Sequence, residues 1–190
     1  MRITKDPEVR KQEILETAMK LFAEQGISKT SMNDIAKTAG ITKGLVYYYF
    51  ASKEELVAEV ASFIVKEVNQ RLVAIVQDQG LDFYEKLAQI LRLYLITMHE
   101  HYNFMEYSPA SPGVYELIKN SLTEAALLYT KDFINQALEA GILKISYPEY
   151  TLKMIINGIA DLYVEGVRDP QILAVLIEQS LALPKGSLKL

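Results

Sequence analysis

The residues of this chain that could do specific chemistry lie close together near its N-terminus, in the stretch Lys43-Gly-Leu-Val-Tyr47. The ammonium group of a lysine can bind the acceptor atoms of guanine. A tyrosine ring can meet a thymine methyl group while its hydroxyl bonds a polar base edge. Gly44 lacks a side chain and would let the backbone approach a base closely. These residue types predict a helix whose exposed face reads base edges in the major groove of DNA.

The surrounding sequence predicts a helix-turn-helix that would position this face. The first helix begins at Asp6, followed by Pro7, and ends at Gly26. Ser31 begins a short second helix with a capping-box pattern. Gly40 supplies the tight turn, and Thr42 caps a third helix.

Within the third helix, Val46 and Phe50 lie four residues apart and are predicted to anchor it to the core. Three consecutive tyrosines follow Val46, and successive helical residues are about 100° apart. They cannot all point into the core, so at least one must be exposed.

The rest of the chain also follows a helical period, so the predicted fold class is all-α with about nine helices. A capping box at Ser52 begins a long helix, and later helices are predicted to begin near Asp82, Gly113, Ser146 and Asp169. The helix from Asp82 is expected to extend to Tyr102, and the C-terminal tail to be frayed. We predict a DNA-binding domain over residues 1–52 and a helical domain for effector binding and dimerisation over residues 53–190.

Composition excludes several other kinds of protein. The 190 residues include no cysteine, which excludes a disulfide scaffold, a thiolate zinc site and a cysteine nucleophile. His99 and His101 are two residues apart and do not form a helical metal pair. We therefore expect no metal, no cofactor and no enzymatic activity. No apolar run is long enough to span a membrane, and the start lacks the apolar region of a signal peptide, so a cytoplasmic location is expected.

Charge is distributed unevenly, although the net charge is -4. Residues 1–55 carry nine basic and eight acidic side chains, whereas residues 56–190 carry eleven basic and sixteen acidic ones. A nearly neutral segment can bind phosphates if its cations share one face.

A dense set of residues between positions 10 and 57 resembles the DNA-binding segment of the TetR family of bacterial repressors. The only departure is small: Tyr48-Tyr49 stands where the family often has a variable residue followed by Tyr or His. The matching residues are Arg10, Ile14, Leu15, Ala18, Leu21, Phe22, Gly26, Thr30-Ser31-Met32, Ile35-Ala36, Ala39-Gly40-Ile41, Thr42-Lys43-Gly44, Tyr47, Tyr49-Phe50 and Ser52-Lys53-Glu54-Glu55-Leu56.

The resemblance implies a one-component repressor that binds double-stranded operator DNA as a dimer and is released by a small molecule. By position, Lys43, Gly44 and Tyr47 would read base edges. The implied phosphate ligands are Thr30, Ser31, Thr42, Tyr48, Tyr49 and Lys53, which suits hydroxyl groups and helix starts.

Aromatic and methionine side chains in the second domain predict a pocket for an apolar or aromatic effector. The expected pocket residues are Tyr94, Met98, Tyr102, Met105, Tyr129, Phe133 and Asn157.

The last two helices carry apolar residues on more than one face, which predicts a homodimer interface with two-fold symmetry. Gly158 and Gly166 would let a partner helix approach closely. The predicted interface residues are Ile155, Gly158, Ile159, Leu162, Gly166, Leu173, Leu176 and Ile177.

Two alternatives remain open. A constitutive or architectural DNA-binding dimer would use its second domain only for dimerisation. An enzyme in the helical domain is disfavoured by the absence of a phosphate-binding loop, a metal-ligand cluster or a catalytic triad.

Overall fold

The computed structural model describes residues 6–105 and 113–190, except for the side chains of residues 105, 114 and 115. The regular secondary structure in these ranges is entirely α-helical, which confirms the predicted fold class. The helices are α1 Pro7–Gln25, α2 Met32–Thr38, α3 Lys43–Tyr49, α4 Lys53–Gln77, α5 Phe83–Glu100, α6 Tyr102–Met105, α7 Val114–Glu139, α8 Pro148–Val164 and α9 Pro170–Ser180.

Most helices begin where a short polar side chain can accept a hydrogen bond from the first turn. The carboxylate of Asp6 accepts from the N–H of Glu8 at 2.8 Å, and that of Asp169 from the N–H of Gln171 at 2.9 Å. Because the first N–H groups of a helix have no partner within the helix, such caps determine where it starts.

Two predicted boundaries are wrong. Tyr102 does not continue α5, because the chain turns at His101 and Tyr102 begins the short helix α6. Ser146 does not cap α8, whose N-cap residue is Tyr147 and has no side-chain hydrogen bond to the helix.

The chain forms two compact units. Unit 1 comprises Met1–Val65 and Glu100–Ile118, and unit 2 comprises Lys66–His99 and Lys119–Leu190. α4 runs through the first boundary and α7 through the last. The two units are defined by which residues contact each other. The division into residues 1–52 and 53–190 concerns function instead, and it remains a prediction.

The core of unit 1 joins α1, α2, α3, α6 and the first half of α4. Apolar side chains recur at helical spacing on the inner face of each. Its fully or almost fully buried members include Ile14, Ala18 and Phe22 of α1, Ile35 of α2, Val46 of α3, Phe50 directly after α3, Leu56 and Val60 of α4, and Phe104 of α6.

Unit 2 has its own core, and the C-terminal tail is part of it. Leu183 and Leu188 are buried against residues of α5, α7 and α9. The guanidinium of Arg92 donates to the carbonyl of Lys189 at 2.8 Å. The prediction of a frayed tail is therefore wrong, because its leucines and backbone amides have partners in the core.

None of the helices in residues 6–105 and 113–190 is long and apolar enough to cross a membrane.

Candidate nucleic-acid interface

The turn between α2 and α3 is closed by two backbone hydrogen bonds. The N–H of Gly40 donates to the carbonyl of Lys37 at 3.2 Å, and that of Ile41 donates to the carbonyl of Ala36 at 2.9 Å. This is the Schellman pattern, which places one residue in the left-handed region. That residue is Gly40, with φ of +66°, so the predicted role of this glycine is confirmed.

α3 is anchored from one side only. Val46 and Phe50 are fully buried, as their spacing predicts. The hydroxyl oxygen of Thr42 accepts a hydrogen bond from the N–H of Leu45 at 3.3 Å, which caps the helix start. The Lys11 ammonium lies 5.5 Å from the centre of the Phe50 ring and 3.6 Å from the Glu59 carboxylate. These contacts hold the inner face and leave the outer face open.

The outer face of α3 carries the three residues that were predicted to read base edges. Lys43 and Gly44 are exposed, and 44% of the Tyr47 surface is accessible. The Lys43 ammonium lies 5.6 Å from the centre of the Tyr47 ring. A cation, a bare backbone position and an aromatic ring therefore share one accessible surface.

The fold of the single chain does not require a glycine at position 44. A Cβ atom at this position would meet no atom within 4 Å, and the backbone is not in the left-handed region. Glycine is a weak helix former, so neither packing nor conformation of the isolated chain explains this residue.

Five of the six predicted phosphate ligands lie at accessible or partly accessible positions. Ser31 and Thr42 are exposed, Tyr48 is 80% exposed, and Tyr49 and Lys53 are half-buried. The rings of Tyr48 and Tyr49 pack edge to face with centres 5.1 Å apart.

Thr30 is an exception, and its predicted phosphate contact is not supported. Its side chain is only 1% exposed. Its hydroxyl donates to the carbonyl of Gly26 at 2.9 Å and accepts from the amide of Gln25 at 3.0 Å. These bonds satisfy polar groups at the end of α1, where carbonyls lack helical partners. Thr30 is a structural residue in this fold.

Lysines around the helix-turn-helix keep their charge available. In the part of the chain that the structure describes, no carboxylate lies within 4.0 Å of the ammonium groups of Lys37, Lys43 or Lys53. By contrast, Lys20 on α1 pairs with Glu24. Unpaired cations beside exposed hydroxyl groups form a surface suited to phosphates.

The capping box of α2 stabilises a carboxylate in this region. Asp34 accepts hydrogen bonds from the hydroxyl of Ser31 at 2.6 Å and from its N–H at 3.0 Å. These bonds, with a smaller contribution from Lys37, lower the pKa of Asp34 below its usual value. The Asp34 carboxylate is therefore held by hydrogen bonds at the start of α2.

The predicted effector residues are divided between the two units. Tyr94, Met98, Tyr129, Phe133 and Asn157 belong to unit 2, whereas Tyr102 and Met105 belong to unit 1. The side chain of Met105 lies outside the described part of the chain.

Within unit 2, several of these side chains already have partners. Phe133 is buried and stacks on Phe83 with ring centres 5.0 Å apart. Met98 is also buried, and the Asn157 amide donates to the carbonyl of Lys153 at 2.8 Å. Tyr129 is exposed over 41% of its surface.

The predicted dimer residues also divide into groups. Ile155, Gly158, Leu162 and Leu176 are half-buried in the single chain. Ile159, Leu173 and Ile177 are buried in the core of unit 2 and are not available to a partner.

Gly166 is not on a helix face, so the expected helix-approach role is wrong. It follows the end of α8 with φ of +101° and donates to the carbonyl of Tyr163. A glycine is favoured here because the turn that ends α8 gives this residue a positive φ.

The packing of α6 against α1 was not predicted from the sequence. The Phe104 ring stacks on Phe22 of α1 with centres 5.7 Å apart. The Asn103 amide donates to the carbonyl of Ala23 at 2.7 Å. The aromatic content of this segment suggested a pocket wall, but Phe104 fills the core of unit 1 beside the end of α1.

Comparison with known proteins agrees with this geometry. The family model described as bacterial regulatory proteins, tetR family, matches residues 14–60. The HTH-type transcriptional regulator YhgD of Bacillus subtilis is 30% identical over 160 residues, which cover 80% of this chain and 83% of YhgD. The HTH-type transcriptional repressor KstR2 of Mycobacterium tuberculosis is 27% identical over 157 residues, covering 80% of this chain and 76% of KstR2.

A solved structure shows the same fold over nearly the whole length. The SmeT–triclosan complex superposes with a TM-score of 0.67 at 21% identity, covering 95% of each chain. The matched segment includes the capped turn and the anchored α3, and the similarity to YhgD extends across most of both proteins. The chain therefore belongs to the TetR family of bacterial transcription regulators.

Proposed function

We propose that this protein is a ligand-responsive transcriptional repressor that binds an inverted-repeat operator as a homodimer. The observation that carries the proposal is the outer face of α3. That face exposes Lys43, Gly44 and Tyr47 while the inner face is held in the core by Val46 and Phe50. An exposed aromatic ring beside a bare backbone position suits contact with base edges better than it suits solvent.

Around this face we assign Ser31, Thr42, Tyr48, Tyr49 and Lys53 to the DNA backbone. The hydroxyl groups of Thr42, Tyr48 and Tyr49 and the ammonium of Lys53 can donate to phosphate oxygens, and such contacts set register without reading sequence. The Ser31 hydroxyl would have to leave Asp34, to which it donates in the free protein, before it could do the same.

Selection of bound duplexes from a random pool tests DNA recognition. We expect an enriched inverted repeat and affinity that falls with salt. Lys53→Ala should weaken all sequences similarly and reduce the salt slope by about one unit. Lys20→Ala is the matched control, because Lys20 pairs with Glu24 on α1. A pool that shows no enriched sequence would contradict the proposal.

Exposed apolar residues on α8 and α9 support the homodimer. Tyr150, Met154, Ile172 and Val175 are all exposed in the single chain. Gly158 lies inside α8, and a Cβ atom there would meet no atom within 4 Å. A glycine inside a helix costs about 1 kcal/mol relative to alanine. Close approach of a partner helix would explain why a glycine is present at this position.

The proposed interface therefore comprises Ile155, Gly158, Leu162 and Leu176 together with the exposed apolar residues of the same two helices. A two-fold axis through these helices would present two copies of α3 to an inverted repeat.

For the effector, we propose an aromatic molecule with one or two polar groups that binds in unit 2. Tyr94 packs against the core that contains Phe133. On α4, in the same unit, the side-chain oxygen of Asn69 is buried and accepts no hydrogen bond from the described residues. A buried acceptor of this kind costs free energy when unsatisfied, and an effector hydroxyl would satisfy it. The structure of SmeT, which has the same fold, is a complex with triclosan.

Thermal unfolding and DNA affinity, measured with and without triclosan as the probe, test this assignment. A bound effector at 100 times its dissociation constant would stabilise the fold by about 2.7 kcal/mol. It would also lower DNA affinity if it prefers the conformation that does not bind DNA. Asn69→Leu should weaken both effects without unfolding the chain. A panel of phenols that changes neither quantity would contradict the assignment and favour the alternative of a constitutive DNA-binding dimer.

A further inference from the structure

We infer that Lys43 and Tyr47 read a guanine and a thymine on adjacent base pairs as one coupled unit. The inference rests on the proposed DNA binding by α3 and adds the bases that the helix selects. We treat the two residues as a pair because the Lys43 ammonium already contacts the Tyr47 ring in the absence of DNA.

The geometry of the pair supports coupling. The Lys43 ammonium lies 5.6 Å from the centre of the Tyr47 ring, within the range of a cation–π contact. No carboxylate in the described part of the chain competes for this ammonium within 4.0 Å. A lysine has a flexible four-carbon stem, so the ring is the group that restricts where its charge lies.

The chemistry of the pair selects the two bases. Guanine presents two acceptors, O6 and N7, to a single cation, whereas adenine places an amino donor beside its N7. Thymine presents a methyl group that packs against the part of the Tyr47 ring left free by Lys43. Stacked bases are about 3.4 Å apart, so groups separated by 5.6 Å reach neighbouring base pairs rather than distant ones.

The coupling should grow when DNA binds. A cation–π contact strengthens when water is removed from it, and the groove excludes water from both side chains. Replacing the ring therefore weakens guanine selection as well as thymine selection, although Tyr47 itself does not touch the guanine.

Selection from a random duplex pool with four proteins tests this inference. The wild type and Tyr47→Phe should both enrich a half-site with adjacent guanine and thymine, because phenylalanine keeps the aromatic face. Tyr47→Leu keeps an apolar side chain but removes that face, and it should lower guanine preference about 3- to 10-fold. Lys43→Met should remove guanine preference.

Affinities for one enriched duplex give a quantitative version of the same test. Changing the thymine to uracil removes only its methyl group, and changing the guanine to adenine reverses one acceptor. In the wild type both changes should weaken binding. The Lys43→Met and Tyr47→Leu penalties should be non-additive by about 3- to 10-fold. Lys20→Met is the control, because it removes an ammonium from α1 outside the proposed interface.

Three results would overturn the inference. Unchanged guanine preference in Tyr47→Leu would show two independent contacts. Equal weakening of all sequences by Lys43→Met, with a salt slope reduced by about one unit, would show that Lys43 binds phosphate. In both cases the proposed DNA binding would stand. If the wild type enriches no sequence, the proposed function itself fails and the inference fails with it.

Discussion

At the scale of single residues, Gly44 distinguishes what the fold needs from what DNA binding needs. The space around its Cα is open, and its backbone conformation is accessible to any residue. Gly40, four positions earlier, has φ of +66° in the turn between α2 and α3. The two glycines therefore serve different purposes although they lie in the same motif.

Gly44→Ala is expected to leave the fold intact and weaken DNA binding. Alanine is the better helix former, so the free energy of unfolding should stay equal or rise by up to about 1 kcal/mol. Loss of close approach to the bases should weaken specific binding by about 1–3 kcal/mol. Thermal unfolding and a binding titration on the selected duplex measure the two effects.

Gly40→Ala is the matched control for this substitution. Alanine in a left-handed conformation costs about 1–2 kcal/mol, so this variant should lose stability. If Gly44→Ala binds the selected duplex as tightly as the wild type, then α3 does not approach the bases at this point.

At the scale of elements, the C-terminal tail is held to α9 by a buried carboxylate. Glu178 is 3% exposed and accepts hydrogen bonds from the N–H groups of Gly186 at 2.9 Å and Leu188 at 2.8 Å. Burial raises the pKa of Glu178, but these hydrogen bonds, with a smaller contribution from nearby Ser187, outweigh it, so the net pKa lies below the ordinary value of 4.5. The charged carboxylate is thus the form that the folded tail prefers.

This arrangement predicts a dependence of stability on pH. A carboxyl group with a lowered pKa in the folded state contributes stability above its ordinary pKa and loses it as the pH falls through the folded pKa. The contribution of Glu178 should be complete at neutral pH and decline below about pH 4.5. Denaturant unfolding of the wild type and of Glu178→Gln across this range measures it.

Glu178→Gln should lower the free energy of unfolding by about 1–3 kcal/mol at pH 7, because its amide places a donor against backbone N–H groups. The difference from the wild type should shrink at pH 3. Glu124→Gln, at an exposed position of α7, is the control. Equal stability of Glu178→Gln and the control at pH 7 would contradict the assigned role of the tail.

A second element, α6, supports the end of α1. Phe104 is buried against Phe22, and Asn103 bonds the carbonyl of Ala23. Phe104→Ala should lower the free energy of unfolding by about 3–5 kcal/mol. It should also increase hydrogen exchange in the last turn of α1. Asn103→Ala removes only one exposed hydrogen bond and should cost about 0.5–1.5 kcal/mol. Unchanged exchange at residues 20–26 in Phe104→Ala would show that α6 does not support α1.

At the scale of the whole molecule, the proposed recognition of an inverted repeat requires the proposed assembly through α8 and α9. Met154 is 75% exposed, and Val175 of α9 is exposed as well. Because neither side chain belongs to the core of the single chain, charged residues there should disrupt only an interface.

Met154→Glu combined with Val175→Glu is expected to give a folded monomer that binds the selected duplex weakly. Sedimentation at micromolar concentration measures the assembly, and far-UV circular dichroism checks the fold. Leu128→Glu is the matched control, since Leu128 is an exposed apolar residue on α7, outside the proposed interface. A dimer that survives the double substitution would place the interface elsewhere.

Local sequence determined much of this protein. The helix-turn-helix, the capped start of α2, the left-handed Gly40 and the burial of Val46 and Phe50 all follow from residues close together in the chain. Caps, turns and helical periodicity act over fewer than ten residues, so their effect can be predicted without knowing what lies opposite. The exposed face of α3 followed from the same local rules.

The tertiary structure decided which neighbours each helix meets. Thr30 was predicted to contact a phosphate, but its hydroxyl donates to the carbonyl of Gly26 at the end of α1. Tyr102 and Met105 were expected in an effector pocket, but their neighbour Phe104 stacks on Phe22 of α1. Ile159, Leu173 and Ile177 proved to be core residues, while Met154 was left exposed. Helical periodicity shows which residues share a face of a helix, but only the packing of distant segments decides whether that face meets the core, a partner or solvent.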